Sequence, residues 1–142
     1  MYQSKNHSKY SLKVHLVFVV KYRKKLINKD IDFFLKTKIK QIEEKSNFRV
    51  ELMETDKDHI HLLIDYDPKV SVLQIVRRLK QETTFELWKV HESYLKKHFW
   101  KDRTFWSDGY FAPVVLGKAQ AMTQFKSTSR TKVKKGAIHV LS

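Results

Sequence analysis

The sequence predicts an α+β fold of the ferredoxin-like type, with a single antiparallel sheet and helices on one face. Apolar patterns typical of strands and of helices alternate along the chain in the order β-α-β-β-α-β. This is the split βαβ arrangement that RNA-recognition domains share. The chain has 142 residues, 42% of them hydrophobic, which is enough for one domain with a packed core. Three glycines and two prolines are few, so the elements are expected to be long.

Four segments are predicted to be strands. Residues 11–20 are rich in β-branched side chains and partly alternate between apolar and polar, as half-buried strands do. Residues 48–53 and 59–66 are joined by a short polar connection, which indicates a hairpin. The last strand is expected from about residue 110 to residue 116.

Two amphipathic helices are predicted between the strands. Residues 30–46 carry apolar side chains at helical spacing, and residues 70 to about 95 form a longer helix with apolar positions in its first half. Three cations of that longer helix are expected to point outward. The apolar stripe of the first helix consists of Ile31, Phe34, Leu35, Ile39 and Ile42, and the three outward cations are Arg77, Arg78 and Lys80.

The net charge indicates a polyanion as partner. Lys and Arg number 29 against 15 Asp and Glu, which gives +14 and a pI of about 9.9. Nucleic acid is favoured over an anionic membrane surface, since no basic helix with one clean apolar face stands out. The chain has no cysteine, no apolar stretch long enough to span a bilayer and no signal-peptide pattern at its start. A cytoplasmic, nucleoid-associated protein without membrane contact is therefore expected.

The last 26 residues differ in composition from the rest. Residues 117–142 lack an apolar period and are rich in Ser, Thr and Lys, so they are predicted to be a poorly ordered basic tail. The globular domain is accordingly expected to comprise residues 1–116.

A histidine pair is the most specific local feature. His59 and His61 are separated by one residue on a predicted strand, so their imidazoles point to the same face, as two ligands of one metal ion would. The alternative interpretation is a pair of surface histidines, because the spacing reveals no third ligand. Asp58 precedes the pair and is positioned either to orient an imidazole or to close the hairpin turn.

Several separated motifs resemble the HUH single-strand DNA transposases of small insertion sequences, including their REP-associated relatives. The motifs are "VHLVFVVKYRKKL", "METDKDHIHLLIDYDP", "VRRLKQETTFELW" and "FWSDGYFA", between about residues 10 and 112. The resemblance implies that His59 and His61 bind a divalent metal, Mg²⁺ or Mn²⁺. It also implies a homodimer that recognises hairpin DNA near element ends. The family reaction is DNA cleavage and strand transfer through a 5′-phosphotyrosine, formed by a tyrosine on a C-terminal helix that also carries a glutamine ligand.

The chain departs from the family at that nucleophile. Phe125 falls near the expected position but has no phenol, and no glutamine follows four residues later. Tyr110, the last tyrosine, matches a family position that is not the nucleophile and is therefore only a fallback. We hypothesise a frameshift near Pro113, because the alternative frame permits "CSIG" followed by "DTIQKYI-x-NQG", which resembles the family's last strand and helix. The nucleotide sequence around codon 113 tests this hypothesis.

Basic and aromatic residues are the candidates for DNA contact. The cluster after the first strand can bind phosphates, and the cations of the second helix are further candidates, although charged helix faces are often merely solvated. Phe99, Trp100, Phe105 and Trp106 could stack on bases but are expected mainly to pack in the core. The cluster after the first strand consists of Lys21, Tyr22, Arg23, Lys24 and Lys25.

Three functions remain open from sequence. The first is a transposase-family protein that binds single-stranded or hairpin DNA and has lost its nucleophile. The second is a non-catalytic DNA-binding relic, or an inhibitor that dimerises with an intact transposase. The third is an RNA-binding ferredoxin-like module, which would not need the histidine pair.

Overall fold

The computed structural model describes residues 12–112 and 114–115. It confirms the predicted element order, with a 3₁₀ turn after the first strand and one additional short helix. The elements are β1 (Leu12–Val19), the 3₁₀ turn (Lys21–Arg23), α1 (Lys29–Glu44), β2 (Phe48–Asp56), β3 (His59–Tyr66), α2 (Val72–Val90), α3 (Glu92–Lys96) and β4 (Val114–Val115).

The four strands form one antiparallel sheet in the order β2-β3-β1-β4, which is the ferredoxin-like topology. β3 is therefore a central strand, paired with β1 along its whole length. The β2–β3 hairpin is tighter than its polar sequence indicated, because both strands extend into the predicted connection. Asp56 pairs with His59, which leaves Lys57 and Asp58 as a two-residue turn.

The helices pack on one face of the sheet and form the main core with it. Alternate residues of β1 and β3 point into this core, and α1 contributes its predicted stripe, with Phe34 only partly buried. α2 contributes its apolar face in the same way. The fully buried side chains include Leu16 and Phe18 of β1, Leu62 and Ile64 of β3, Leu35 and Ile39 of α1, and Ile75 and Leu79 of α2.

The structure differs from the sequence prediction at the end of the second helix. α2 ends at Val90 rather than near residue 95, because His91 leaves the helical conformation with φ −116° and ψ 31°. The ring of His91 packs edge-on against Phe34 of α1, with centroids 4.9 Å apart. The chain then turns into α3, whose Leu95 is fully buried.

Of the predicted last strand, residues 110–116, the described part pairs with the sheet in two ways. β4 comprises Val114 and Val115, and the residues before it join the sheet through isolated bridges from Phe111 to Val17 and from Trp106 to Val20. The predicted basic tail, residues 117–142, lies outside the described residues. No helix in the described part of the chain is both long and apolar enough to cross a membrane.

We predict that a buried and an exposed apolar residue of α1 contribute very differently to the stability of the protein. Leu35 is 0% exposed and Phe33 is 74% exposed. Leu35→Ala should lower the free energy of unfolding by about 2–5 kcal/mol, because it leaves a cavity in the core. Phe33→Ala, the matched control, should change it by less than about 0.5 kcal/mol. Urea unfolding measures both, and equal losses would contradict the described core.

Candidate metal and nucleic-acid site

His59 and His61 lie on the same face of β3, the face turned away from the helices. Their ring centroids are 4.7 Å apart and their planes are inclined by 71°. Both side chains are buried, at 2% and 1% exposure, so the alternative interpretation as surface histidines is wrong. The face of the sheet without helices is also covered at this point, since Val17 and Leu63 beside the pair are buried as well.

Asp58 orients His59. Its Oδ1 is 2.7 Å from His59 Nδ1, and its Oδ2 is 3.3 Å from Arg23 Nε. Burial raises the pKa of Asp58, but the hydrogen bond and charge of His59 and the guanidinium of Arg23 outweigh it, so the pKa lies below its usual value. The ionised carboxylate can only accept, and His59 Nδ1 therefore donates. This leaves the lone pair of His59 on Nε2, where a metal would bind.

His15 of β1 contacts the second histidine of the pair, a contact that sequence reasoning missed. Its Nε2 is 3.2 Å from His61 Nδ1, and the ring centroids are 5.4 Å apart. The strand register explains the contact, because His61 pairs with Val17 and His15 lies two residues before Val17 on the same face. His15 belongs to the recognised "VHLVFVV" motif, but pairing register rather than sequence spacing brings it to His61.

Burial favours the neutral form of two of these imidazoles, His15 and His61. Burial lowers the pKa of His15 to about 4. Burial, followed by the charges that His59 and His15 would carry, lowers the pKa of His61 to about 3. Neutral imidazole is the form that coordinates metal ions.

The donor set in the described residues fits a metal but is incomplete. His59 Nε2 is buried and has no hydrogen-bond partner within this part of the chain. Such a nitrogen calls for an ion or a water, since an unsatisfied buried polar atom costs about 1–3 kcal/mol. Within residues 12–112 and 114–115, no group of three or more His, Cys, Asp or Glu is arranged to hold a metal. The described donors are thus the two imidazoles of His59 and His61.

The 3₁₀ turn, hereafter the KYR turn (Lys21–Arg23), joins this site to the basic cluster. The backbone N–H of Val20 donates to Asp58 O at 2.8 Å, so the end of β1 is tied to the hairpin tip. Tyr22 and Arg23 both have left-handed φ values, 63° and 54°. Non-glycine residues reach this region at a cost of about 1–3 kcal/mol each, and such strain is frequent at functional sites.

The five predicted residues of the basic cluster lie in or beside the KYR turn. Tyr22, Arg23 and Lys25 are exposed, whereas Lys21 and Lys24 are half-buried. The Lys21 ammonium lies 5.6 Å from the centre of the Tyr22 ring, and that of Lys24 lies 6.0 Å from the centre of the Phe99 ring. The turn therefore presents positive charge together with an exposed aromatic ring.

The predicted helix cations have different environments. Arg77 is exposed. Arg78 donates to Glu82 Oε2 at 2.7 Å and to Ser46 Oγ at 2.7 Å, which ties α2 to the end of α1. Lys80 donates to two backbone carbonyls, Ser107 O at 2.9 Å and Gly109 O at 2.6 Å. Burial lowers the pKa of Lys80 to about 8.

The aromatic segment between α3 and β4 mostly packs in the core, as expected. Phe99, Phe105 and Trp106 are buried. Trp100 is the exception, since 84% of it is exposed. It is therefore the member of this set that can contact DNA without unfolding the core.

Tyr110, the fallback nucleophile, lies in the main core on the helix side of the sheet. Burial raises the pKa of its phenol, which makes the reactive phenolate less accessible. Its side chain and the histidine pair thus belong to opposite faces of the sheet.

We predict that the unfolding free energy falls as pH is lowered from 7 to 5.5. In the unfolded chain His15 and His61 bind protons near pH 6.5, whereas in the folded protein they stay neutral down to about pH 4 and 3. The contribution of these two histidines to the free energy of unfolding is therefore fully present above about pH 6.5 and decreases below it. Between pH 7 and 5.5 the free energy of unfolding should fall by about 2 kcal/mol in total. Urea unfolding in EDTA at several pH values measures the loss.

The matched variants for this prediction are His15→Phe and His98→Gln. His15→Phe should remove about half of the pH dependence, and His98→Gln, which changes a half-buried histidine elsewhere, should leave it unchanged. A stability that does not change between pH 7 and 5.5 would contradict the neutral, buried assignment.

Comparison with known proteins identifies the family. A family model of IS200-like transposases matches residues 8–124. The transposase of insertion sequence element IS200 from Salmonella typhimurium is 30% identical over 118 residues, which cover 83% of this chain and 76% of that protein. The ISDra2 transposase TnpA of Deinococcus radiodurans is 27% identical over 115 residues, 81% of each chain.

Solved structures show the same fold. A crystal structure of a Deinococcus radiodurans protein assigned as a transposase superposes with a TM-score of 0.68 at 22% identity, over 87% of this chain and 94% of that one. A REP-associated tyrosine transposase bound to a REP hairpin gives a TM-score of 0.58 at 13% identity, over 82% of this chain and 62% of the other. With the family model spanning most of its length, this chain belongs to the IS200-like transposases.

Proposed function

We propose that this transposase-family protein binds single-stranded or hairpin DNA at insertion-sequence ends, holds a divalent metal on His59 and His61, and does not cleave DNA. The observation that carries the proposal is the pair of buried imidazoles on one face of β3, each with its Nδ1 engaged by a neighbouring side chain. This arrangement leaves Nε2 of each ring for a common ligand.

The metal part of the proposal follows from the partners of each imidazole. Asp58 accepts from His59 Nδ1, and Arg23 in turn binds Asp58. His15 contacts His61 Nδ1 and would accept from it when His61 Nε2 coordinates a metal. Mg²⁺ or Mn²⁺ at this site would polarise a DNA phosphate. Two ligands in the described residues support weak binding.

The DNA part of the proposal rests on charge and family. The chain carries +14, and its KYR turn presents cations beside the histidine pair. Lys24 and Lys25 follow that turn, and Arg77 extends the positive charge along α2. One of the structural neighbours is bound to a REP hairpin, which supports the same class of ligand here.

The proposed absence of cleavage rests on the late tyrosines, because the family resemblance places the nucleophile on a helix near the C-terminus. Tyr66, Tyr94 and Tyr110 are at least partly buried, and burial raises the pKa of each phenol. The Tyr94 hydroxyl also donates to Leu26 O at 2.9 Å. The sequence following Ala112 lacks tyrosine altogether. The resulting protein is a DNA-binding relic that could interfere with an intact transposase by dimerising with it.

We further propose a homodimer in the cytoplasm, associated with the nucleoid. In the described sheet, β2 is an edge strand of nine residues. Side chains of α1 already engage Val50 on this strand, since Glu43 accepts from its N–H and Lys40 donates to its carbonyl, so pairing with another chain is proposed for the rest of the strand. This edge is longer than that of β4, which has two residues, so β2 is the better candidate for strand pairing.

We predict that metal binding depends on the oriented histidine pair. His59→Ala combined with His61→Ala should abolish Mn²⁺ binding, and Asp58→Asn should weaken it about 10- to 100-fold, because the carboxylate fixes the tautomer of His59. Isothermal titration calorimetry with Mn²⁺ measures both. Asp67→Asn, just beyond the opposite end of β3, is the control and should bind nearly as wild type. An unchanged affinity in the double histidine variant would rule out this site.

We also predict that DNA binding and DNA chemistry are separable. The protein should bind a labelled single-stranded hairpin with an affinity that falls steeply between low and moderate salt, because bound cations release condensed counterions. A denaturing gel with Mn²⁺ or Mg²⁺ should show no covalent protein–DNA adduct. Tyr110→Phe is the companion variant and should behave as wild type.

Three outcomes would contradict the proposal. An adduct that Tyr110→Phe abolishes would show that the chain is an enzyme. An affinity for DNA that does not depend on salt would show that the protein does not bind the DNA phosphates. Preference for RNA, unaffected by loss of both histidines, would favour the RNA-binding alternative.

A further inference from the structure

A cleft of about 240 Å³ lies between the KYR turn and the segment that follows α3. Two exposed aromatic side chains line it, Trp100 at 84% and Tyr22 at 73% exposure. Lys21, Lys24 and Lys101 also line it, against one carboxylate. The cleft therefore combines flat apolar surfaces with a net positive charge.

The exposure of these rings calls for a ligand. Because Trp100 is exposed, it does not gain the free energy that burial of a large apolar side chain provides. The neighbouring Phe99, in contrast, is buried. The KYR turn holds Tyr22 in a left-handed conformation of φ 63°, which is costly for a residue with a large side chain. Exposed aromatic rings beside a costly backbone conformation are typical of a contact surface.

We infer that this cleft binds an unpaired DNA base, with its flanking phosphates on the lysines; the inference rests on the proposed function. Aromatic rings stack on any base, and lysines contact phosphate without reading sequence. The volume is below the roughly 300–1,000 Å³ of clefts for drug-sized ligands and suits a single base. Bases within a duplex are already stacked on both faces, so the ligand is single-stranded or extruded from a hairpin.

The position of the cleft connects it to the histidine pair. Tyr22 lines the cleft, and the next residue, Arg23, binds Asp58, which orients His59. A strand whose base is held at Tyr22 and Trp100 is thereby placed beside the candidate metal centre. The KYR turn is thus shared by the two sites, through Tyr22 in the cleft and Arg23 at Asp58.

Trp100 provides its own probe for the experiment. The other two tryptophans, Trp88 and Trp106, are buried at 5% and 6% exposure, so quenching by acrylamide reports on Trp100. Single-stranded oligothymidylate of about eight nucleotides should quench this emission and protect it from acrylamide. A blunt duplex without unpaired bases should bind through its phosphates and leave the Trp100 emission accessible.

Variants then separate stacking from charge. Trp100→Ala should weaken oligothymidylate binding about 5- to 150-fold, measured by fluorescence anisotropy of a labelled oligonucleotide. Trp100→Phe should retain most of the affinity because it keeps an aromatic plane. Phe33→Ala, which removes an equally exposed ring from α1, is the matched control and should bind as wild type. An abasic oligonucleotide should bind wild type and Trp100→Ala with nearly equal affinity.

The outcomes distinguish this inference from the proposed function. If wild type binds the hairpin and the oligonucleotide but Trp100→Ala binds both equally well, the base site is wrong and the proposed function stands. If wild type binds neither DNA at low salt, both are wrong. If the duplex quenched the Trp100 emission as strongly as the single-stranded oligonucleotide does, the assignment to an unpaired base would also be overturned.

Discussion

The antiparallel pairing of β1 with β3 determines where the groups of the candidate site lie. The register sets Val19 opposite His59 and Val17 opposite His61, so the face of β1 that carries His15 meets the histidine pair. A slip of one residue would turn every side chain of β1 to the other face and would bury His15 among the helices. Because β1 ends at the hairpin tip, the same pairing delivers the KYR turn to Asp58.

Electrostatics at this site disfavour protonation of two of its imidazoles. Burial keeps His15 and His61 neutral, and Asp58 remains ionised through His59 and Arg23. A buried imidazole nitrogen without a hydrogen-bond partner, as at His59 Nε2, costs stability in the described protein. A ligand bound to this nitrogen would remove that destabilisation. Metal binding and the stability of the sheet are therefore expected to be coupled.

The many cations of this chain serve two purposes, and the net charge alone does not separate them. Arg78, Lys80 and Lys13 are engaged inside the protein: Lys13 contacts Glu51 at 3.0 Å and Asp65 at 3.5 Å, and the other two fix backbone or helix contacts. Lys21, Lys24 and Lys101 instead line the cleft that also contains the exposed rings of Tyr22 and Trp100. Placement, rather than number, is the reason that the KYR turn is proposed as the surface for a polyanion.

The sequence by itself determined the element order, the strand 59–66 and the common face of His59 and His61, because each depends on local apolar periodicity and on the two-residue repeat of a strand. The recognised motifs likewise sufficed for the family. Tertiary structure decided the rest. His15 reaches His61 through strand register, α2 ends early where His91 packs on Phe34, and Trp100 is exposed while Phe99 beside it is buried. These features depend on contacts between residues far apart in the chain, and no local pattern encodes such contacts.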